Sequence, residues 1–448
     1  MTVVAFPETL WPLVSHLDPG GRESAGVAFA QVVRRSGGTR LLVNSVSTAS
    51  ADHYVSHGLA EAVLTPAFVA TEVAKARRDN LAAIFFHTHP FARHAAFSII
   101  DNDGELALKE FMDRRIPGLP HAAIVIGQES HSARLLGTSS HCAIEVVGKE
   151  SLRWNGPPDS GAAVVPGHDD RTFDRQVRLF GREGQARLAS LTVGVVGLGG
   201  TGSFIASELA HLGVQRFLLL DPDTVEPSNL NRIIGGEPTD AEGIPKVNVA
   251  ARSIRRVRPN ANVEALYASV LLQKYARELT SVDLIFACTD SHGSRYVLNQ
   301  LAYQFLIPVF DVGVAIAVSH RRLSHVFGRS QMLAPGLPCL TCLRTLDPEQ
   351  VRRDLMSDFE RQRDPYVIGD VEPQPAVVSL NGTISSLAVT MFLAAYTGLP
   401  LESRHQLYDA IRGMVRPVAG LVNPTCVTCS SNGAFARGDS WPMPGRTG

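Results

Sequence analysis

The run Val193-Gly-Val-Val-Gly-Leu-Gly-Gly-Thr-Gly202, followed by Leu218-Leu-Leu-Asp-Pro-Asp223, leaves this chain few folds to choose from. An apolar strand enters a glycine-rich turn, a helix follows, and a second apolar strand ends on an acid. That order suits a mononucleotide site. Gly197 permits the tight turn, Gly199 and Gly200 let the backbone approach a phosphate, and Gly202 lets the helix pack close. Unpaired N–H groups at the helix start favour an anion. Asp221 stands where a carboxylate holds ribose hydroxyls. Alone, the turn is a weak signal; the residues around it carry more.

Length and charge narrow the class. The chain has 448 residues, 45% apolar and 19% charged, with a formal charge of −1. That is the composition of a globular protein with room for two or three cores. A balance so near neutrality gives no footprint for nucleic acid or for a membrane surface. The N-terminal Met1-Thr-Val-Val-Ala-Phe-Pro-Glu has no basic flank before an apolar core, and no apolar run reads as a membrane span. A cytoplasmic enzyme is the expectation.

An α/β chain of two parts is expected. Short β-rich runs such as Ala122–Gly127 mix with helix-like stretches such as Phe68–Arg78, giving an α+β domain over 1–150. Pro, Gly and small polar residues then cluster, and 151–170 reads as a linker. Over 171–430, strands at 191–196, 216–221 and 283–288 alternate with helices at 203–212, 245–257 and 292–305, the pattern of a parallel, doubly wound, Rossmann-like sheet. The charged stretch 343–365, running into Asp370-Val-Glu-Pro-Gln-Pro375, reads as a mobile excursion before an apolar helix from about Ile384 to Thr397. A flexible tail is expected over 431–448.

Beyond Asp223 come Glu226-Pro-Ser-Asn-Leu-Asn-Arg232, Gly243-Ile-Pro-Lys246 and Ala287-Cys-Thr-Asp290. Arg232 and Lys246 can neutralise a triphosphate, Asn229 can hydrogen-bond it, and Asp290 at a strand end can hold Mg²⁺. Each of these residues alone would read as a solvated charge; together their spacings suit ATP-dependent nucleotidyl transfer. Cys339-Leu-Thr-Cys342 and Cys426-Val-Thr-Cys429 add two turns that can converge on one structural Zn²⁺, with redox thiols as the alternative.

With Arg175-Gln176, Gly181 and Gln185 included, residues 171–430 resemble the ThiF/MoeB/ubiquitin-E1 family of adenylating enzymes. The resemblance implies that ATP and the C-terminal glycine carboxylate of a ubiquitin-like or sulfur-carrier protein give an acyl-adenylate and pyrophosphate. By the same resemblance Asp221 holds the ribose, Arg232 and Lys246 the phosphates, and Asp290 the metal. Arg175 would reach a neighbouring subunit's site, which implies a homodimer. The excursion where conjugation-pathway relatives carry a thioester cysteine has none, since only Cys142 and Cys288 remain. The expectation is an enzyme that stops at the acyl-adenylate or passes the acyl group straight to a partner.

In the first half, Phe86-His-Thr-His-Pro90 and Ser98-Ile-Ile-Asp101 set two imidazoles and a carboxylate in the pattern of a catalytic zinc, with Glu23 as general base. These residues resemble the JAB/MPN (JAMM) metalloprotease family, which implies that His87, His89 and Asp101 bind Zn²⁺ and that Ser98 steadies the oxyanion. The stretch between His89 and Ser98 is one residue longer than is usual there, which makes Asp103 a spare ligand. His94 is expected to face solvent. Strand histidines without metal, or a metal-free docking module, stay open as alternatives.

Together the two resemblances imply a bifunctional enzyme of a bacterial ubiquitin-like modification pathway. It would activate the carrier and trim or release it, with an E2-like protein as a further partner. The rival is a sulfur-carrier adenylyltransferase for cofactor or cysteine biosynthesis.

Overall fold

The computed structural model describes residues 1–35, 37–154, 171–319, 322–357, 360 and 375–447. Two compact units divide the chain. The first takes 1–154 with Gln304–Leu306 and Ser431–Pro442, and the second takes most of the remainder.

The first unit is built on one sheet. Its strands are β1 (Thr2–Pro7), β2 (Ala25–Arg35), β3 (Gly38–Thr48), β6 (Ala82–Thr88), β7 (Ala122–Ile126), β8 (His131–Leu135), β9 (His141–Val147) and β10 (Ser151–Trp154), while β4 (Tyr54–His57) and β5 (Ala62–Leu64) pair separately. β1 pairs in parallel with both β3 and β9, which closes the sheet on itself. Alternation along each strand then serves two cores. Ala28, Ile84, Phe86 and Ile124 fill one face. Val27, Phe29, Phe85 and Ala123 fill the other with Phe68 and Met112 from the helices Pro66–Arg78 and Ile99–Arg115. Each of those helices starts on a capping side chain. Thr65 Oγ1 accepts from Phe68 N at 3.3 Å. Ser98 Oγ accepts from Asp101 N at 3.1 Å while Asp101 Oδ2 accepts from Ser98 N at 2.6 Å.

The second unit carries β11 (Thr192–Val196), β12 (Arg216–Asp221), β13 (Asn262–Tyr267), β14 (Leu284–Ala287), β15 (Val309–Ser319), β16 (Arg322–Leu333), β17 (His405–Asp409) and β18 (Met414–Pro417), ordered β13-β12-β11-β14-β15-β16-β17-β18. β13 to β15 run parallel, and β15 to β18 are antiparallel. The expected all-parallel sheet is therefore half of a mixed one. Short connections join β15 to β16 and β17 to β18 in antiparallel pairs, and β17 returns antiparallel to β16 after a long insertion, whereas helical crossovers such as Gly200–Leu212 and His292–Gln304 enforce the parallel half. Val195, Leu219, Phe286 and Phe310 pack beneath Ile205, Leu209, Ile384 and Phe392. By length and hydropathy the helix Val378–Thr397 passes for a membrane span, contrary to expectation, yet much of its apolar surface is spent in this core.

Three boundaries differ from expectation. Residues 151–154 are not linker: they form β10, antiparallel to β9. The rest of the expected linker, 155–170, lies outside the described residues. The charged excursion contains a helix, Pro348–Leu355, started by Asp347 accepting from Glu349 N and Gln350 N. Most of the Asp370–Pro375 segment lies outside the described residues. The tail does not fray at 431–442. Gln304 Nε2 donates to Gly438 O at 2.7 Å and Trp441 O at 3.0 Å, and Arg35 meets Asp439 at 2.9 Å. Its composition suggested solvent, but Gln304 satisfies two of its carbonyls and Arg35 pairs with one of its side chains.

Candidate functional site

In the first unit, β6 ends in the histidine pair. Thr88 between them is buried, its Oγ1 accepting from Ser24 N at 2.8 Å and its N donating to Ser24 O at 2.9 Å. This stitches the Glu23 segment to the end of β6 and turns both imidazoles to one side. His87 Nε2 and His89 Nε2 stand 3.1 Å apart, His87 Nε2 is 3.2 Å from Asp101 Oδ1, and His89 Nε2 is 3.7 Å from Glu23 Oε1. The ligand atoms of His87, His89 and Asp101 all lie within 4.8 Å of one another. They open into a cavity of about 650 Å³ also lined by Glu23, Ser98, Val63 and Phe91. The Ser-x-x-Asp motif does double duty: it caps the helix Ile99–Arg115, and the cap aims the carboxylate at His87. Ser98 Oγ accepts in that cap, which leaves its hydroxyl proton free to donate. Asp103 lies outside the trio, and both it and His94 are exposed.

Electrostatics favour a base beside a ligand set. Burial pushes the Glu23 carboxyl up. Burial would raise Asp101 too, but the bonds from His87 and Ser98 outweigh it and hold the carboxyl below its usual range. His89 is kept low by burial and then by the neighbouring His87. An imidazole kept from protonating at His89 and an ionised carboxylate at Asp101 suit a divalent cation. Glu23 is itself held by its backbone: its N donates to Gly58 O at 3.0 Å, and its O pairs with His57 Nε2 at 2.9 Å.

In the second unit the glycine loop follows β11. Gly197 has φ +87°, and a Cβ there would press on Cys288 O at 2.6 Å. A Cβ on Gly202 would collide with Gly197 O, whereas one on Gly199 would meet nothing within 4 Å. Gly199 is thus the open approach. Gly200 differs from the expectation of bare phosphate contact, since its missing Cβ makes room for the Asn381 carboxamide. Asp221 ends β12 nearly buried, accepting from Leu198 N at 2.5 Å and Asp223 N at 2.8 Å. Burial raises its carboxyl, and the Leu198 amide pulls it back. The acid therefore also holds the loop in place.

The cations sit close by. Lys246 Nζ donates to Asp223 Oδ2 at 2.8 Å, and Arg232 donates to Ser228 O at 2.6 Å and Asn231 Oδ1 at 3.2 Å. Asn229 is buried in its own turn, its Oδ1 accepting from Glu226 N at 3.4 Å. Asp290 and Arg175 are exposed. Gln176 and Gln185 donate to His211 O and Leu212 O, closing the end of the helix Gly200–Leu212.

Sequence reasoning missed a buried relay behind Asp290. Asp311 is fully buried, with Arg329 Nη2 at 2.5 Å and Arg295 Nε at 3.5 Å, and Arg295 Nε donates to Thr289 O at 3.1 Å. A lone acid inside the apolar run Val309-Phe-Asp-Val-Gly313 was the available signal.

The four cysteines converge. Cys339 Sγ is 3.6 Å from Cys426 Sγ, Cys342 Sγ is 3.4 Å from Cys429 Sγ, and all four sulfurs lie within 4.8 Å of one another. The amides of Cys342, Asn423 and Thr428 donate to sulfur. Such donors suit thiolates, and the Cys339 thiol is lowered to about 5, first by its bond with Cys429. The set fits a tetrahedral cation.

A family model for the ThiF family matches residues 173–428. Among curated proteins, the chain is 29% identical over 255 residues to the SAMP-activating enzyme E1 of Haloferax volcanii, covering 56% of this chain and 85% of that protein. It is 28% identical to the molybdopterin-synthase adenylyltransferase of Escherichia coli, covering 57% and 95% respectively. The sulfur carrier protein adenylyltransferase of Thermus thermophilus is 27% identical, with 57% and 89% covered. The chain belongs to the ThiF family, and its second unit is an α/β adenylyltransferase domain of the E1-like type.

Proposed function

We propose that the second unit adenylates the C-terminal glycine carboxylate of a small ubiquitin-like or sulfur-carrier protein. The observation that carries this is the loop open at Gly199, with Arg232 and Lys246 at its rim and Asp221 at its base. A carboxylate oxygen attacks the α-phosphorus of ATP, the bond to the pyrophosphate oxygen breaks, and pyrophosphate leaves. Lys246 and Arg232 exchange Asp223 and Ser228 for phosphate oxygens, and Asp221 takes the ribose. Asp290 would hold Mg²⁺, which supplies charge neutralisation on the phosphates. Arg175, exposed on its helix, would complete the site of a second copy in a homodimer. The cysteine set would hold one structural Zn²⁺.

The acyl group is handed on from the adenylate rather than from a thioester on this chain. Four of the six cysteines form the cluster. Burial pushes the Cys142 thiol up to about 12 and raises that of Cys288 as well, so neither is a ready nucleophile. This favours a sulfur-carrier activator over a conjugating enzyme with an E2-like partner, and the name of the Thermus thermophilus relative leans the same way.

The first unit reads as a JAMM-type peptidase that trims or releases the same carrier. His87, His89 and Asp101 would hold Zn²⁺, which supplies Lewis acidity to the water and to the scissile carbonyl. Glu23 takes the proton from the attacking water and returns it to the leaving amine. Ser98 first holds Asp101 in place, and its hydroxyl edges the cavity where an oxyanion would form.

The test mixes the full chain, MgATP and candidate carriers ending in glycine, with mass spectrometry of the carrier. An AMP adduct is expected, absent with Asp290→Ala. A chain that binds ATP yet adenylates no such carrier would overturn the substrate assignment.

A further inference from the structure

The helices Val378–Thr397 and Gly200–Leu212 lie side by side in the same direction. Asn381 meets Gly200, Gly382 meets Phe204, Ser385 Oγ donates to Thr201 O at 3.1 Å, and Ser386 Oγ donates to Glu208. Rising numbers match rising numbers, so both N-termini lie at the end where the glycine loop turns. The first turn of Val378–Thr397 has no side-chain cap. Its N–H groups add partial positive charge beside those of the loop helix.

Asn381 sits in that first turn. It is 5% exposed, and its side chain makes no hydrogen bond among the described residues. A carboxamide has two donors and an acceptor, and here they stand ready for an incoming group. Its Nδ2 occupies the space a Cβ on Gly200 would claim, and Arg232 Cδ stands 3.4 Å from that same position. An amide donor, the stem of Arg232 and two helix starts thus surround one spot.

We propose that Asn381 is a nucleotide-contacting residue whose Nδ2 donates to a phosphate oxygen of bound ATP. This rests on the adenylation reading above. Two anionic groups meet in such a site, the nucleotide phosphates and the carrier's carboxylate. The phosphate is the match because Asn381 rests on the first helical residue of the glycine loop, where the loop's amides gather. Gly200 is therefore required by Asn381 as much as by the ligand.

Calorimetric titration of the full chain with MgATP and with adenosine tests this. Wild-type chain binds both. Asn381→Asp should weaken ATP by roughly 10- to 100-fold and leave adenosine within about twofold, because the new charge repels only phosphate. Asn381→Ala should weaken ATP by about 3- to 10-fold with an unchanged melting temperature. Unchanged ATP affinity in Asn381→Asp overturns the proposal, and so does an equal loss for adenosine, which would mark a structural role. Intact ATP affinity with a raised KM for the carrier alone would move the contact to the carboxylate and also overturn it. Wild-type chain that binds no ATP would instead bring down the adenylation reading.

Discussion

The cysteine cluster and the His87–His89–Asp101 trio both gather ligand atoms within 4.8 Å, yet they are finished differently. The sulfurs come from two turns far apart in sequence, three of the four cysteines are buried, and backbone amides donate to three of the sulfurs. Four ligands close the shell around an ion. The trio supplies three ligands of nitrogen and oxygen, half-buried, facing a cavity of about 650 Å³ with a spare carboxylate 3.7 Å from His89. A shell left one ligand short, beside a base, is arranged to react; a filled shell is arranged to hold. Ligand count and exposure separate the two more sharply than residue type does.

The largest effect should come from breaking the closed shell. Cys426→Ser leaves three thiolates, and a structural zinc in such a set contributes about 10–16 kcal/mol, comparable to a whole domain's stability of about 5–15 kcal/mol. Metal content should fall from two zinc ions per chain to one, and the second unit should lose its cooperative melt. Unchanged melting with two ions still bound would erase the distinction between the clusters.

Next comes the open shell. Glu23→Gln should lower peptide hydrolysis by about 10²–10⁴-fold while both zinc ions stay bound. Loss of an ion would make Glu23 a fourth ligand, and the trio would then be a closed site after all. Metal analysis beside a hydrolysis assay decides between these.

Legibility in the sequence followed the range of the forces. The glycine loop, its flanking strands and both Cys-x-x-Cys turns are local patterns, and they read directly. Ser98 and Asp101 were legible as ligand-family residues, but their reciprocal cap, which fixes where Asp101 points, emerged only with the helix start. Asn381 was not legible, and Asp311 showed only as a lone acid in an apolar run. Their partners, Arg329, Arg295 and Gly200, lie far off in the chain and are brought near by sheet register and helix packing. The antiparallel half of the second sheet was missed for the same reason, because β17 finds β16 across a long insertion. The tail failed differently: its Gly, Ser and Pro content predicts fraying, and the buried amide of Gln304 overrides it.

The smallest effect concerns a buried histidine elsewhere in the first unit. His131 lies edge-on to Trp11 at 5.2 Å, and burial lowers its imidazole to about 4. In the unfolded chain the same ring titrates near its ordinary value of 6.5. Between those values the unfolded state binds the extra proton, so stability of the first unit falls as pH drops from about 6.5 to about 4, by at most about 1.4 kcal/mol per pH unit. Below that window the contribution levels off. Asp101 acts elsewhere: its depressed carboxyl stabilises the fold above the ordinary 3.8 and loses that stability only in stronger acid. Melting curves with EDTA present, for wild type and His131→Gln, isolate the difference. The variant should lose less stability across the window, and parallel curves would mean that the ring is already protonated in the fold.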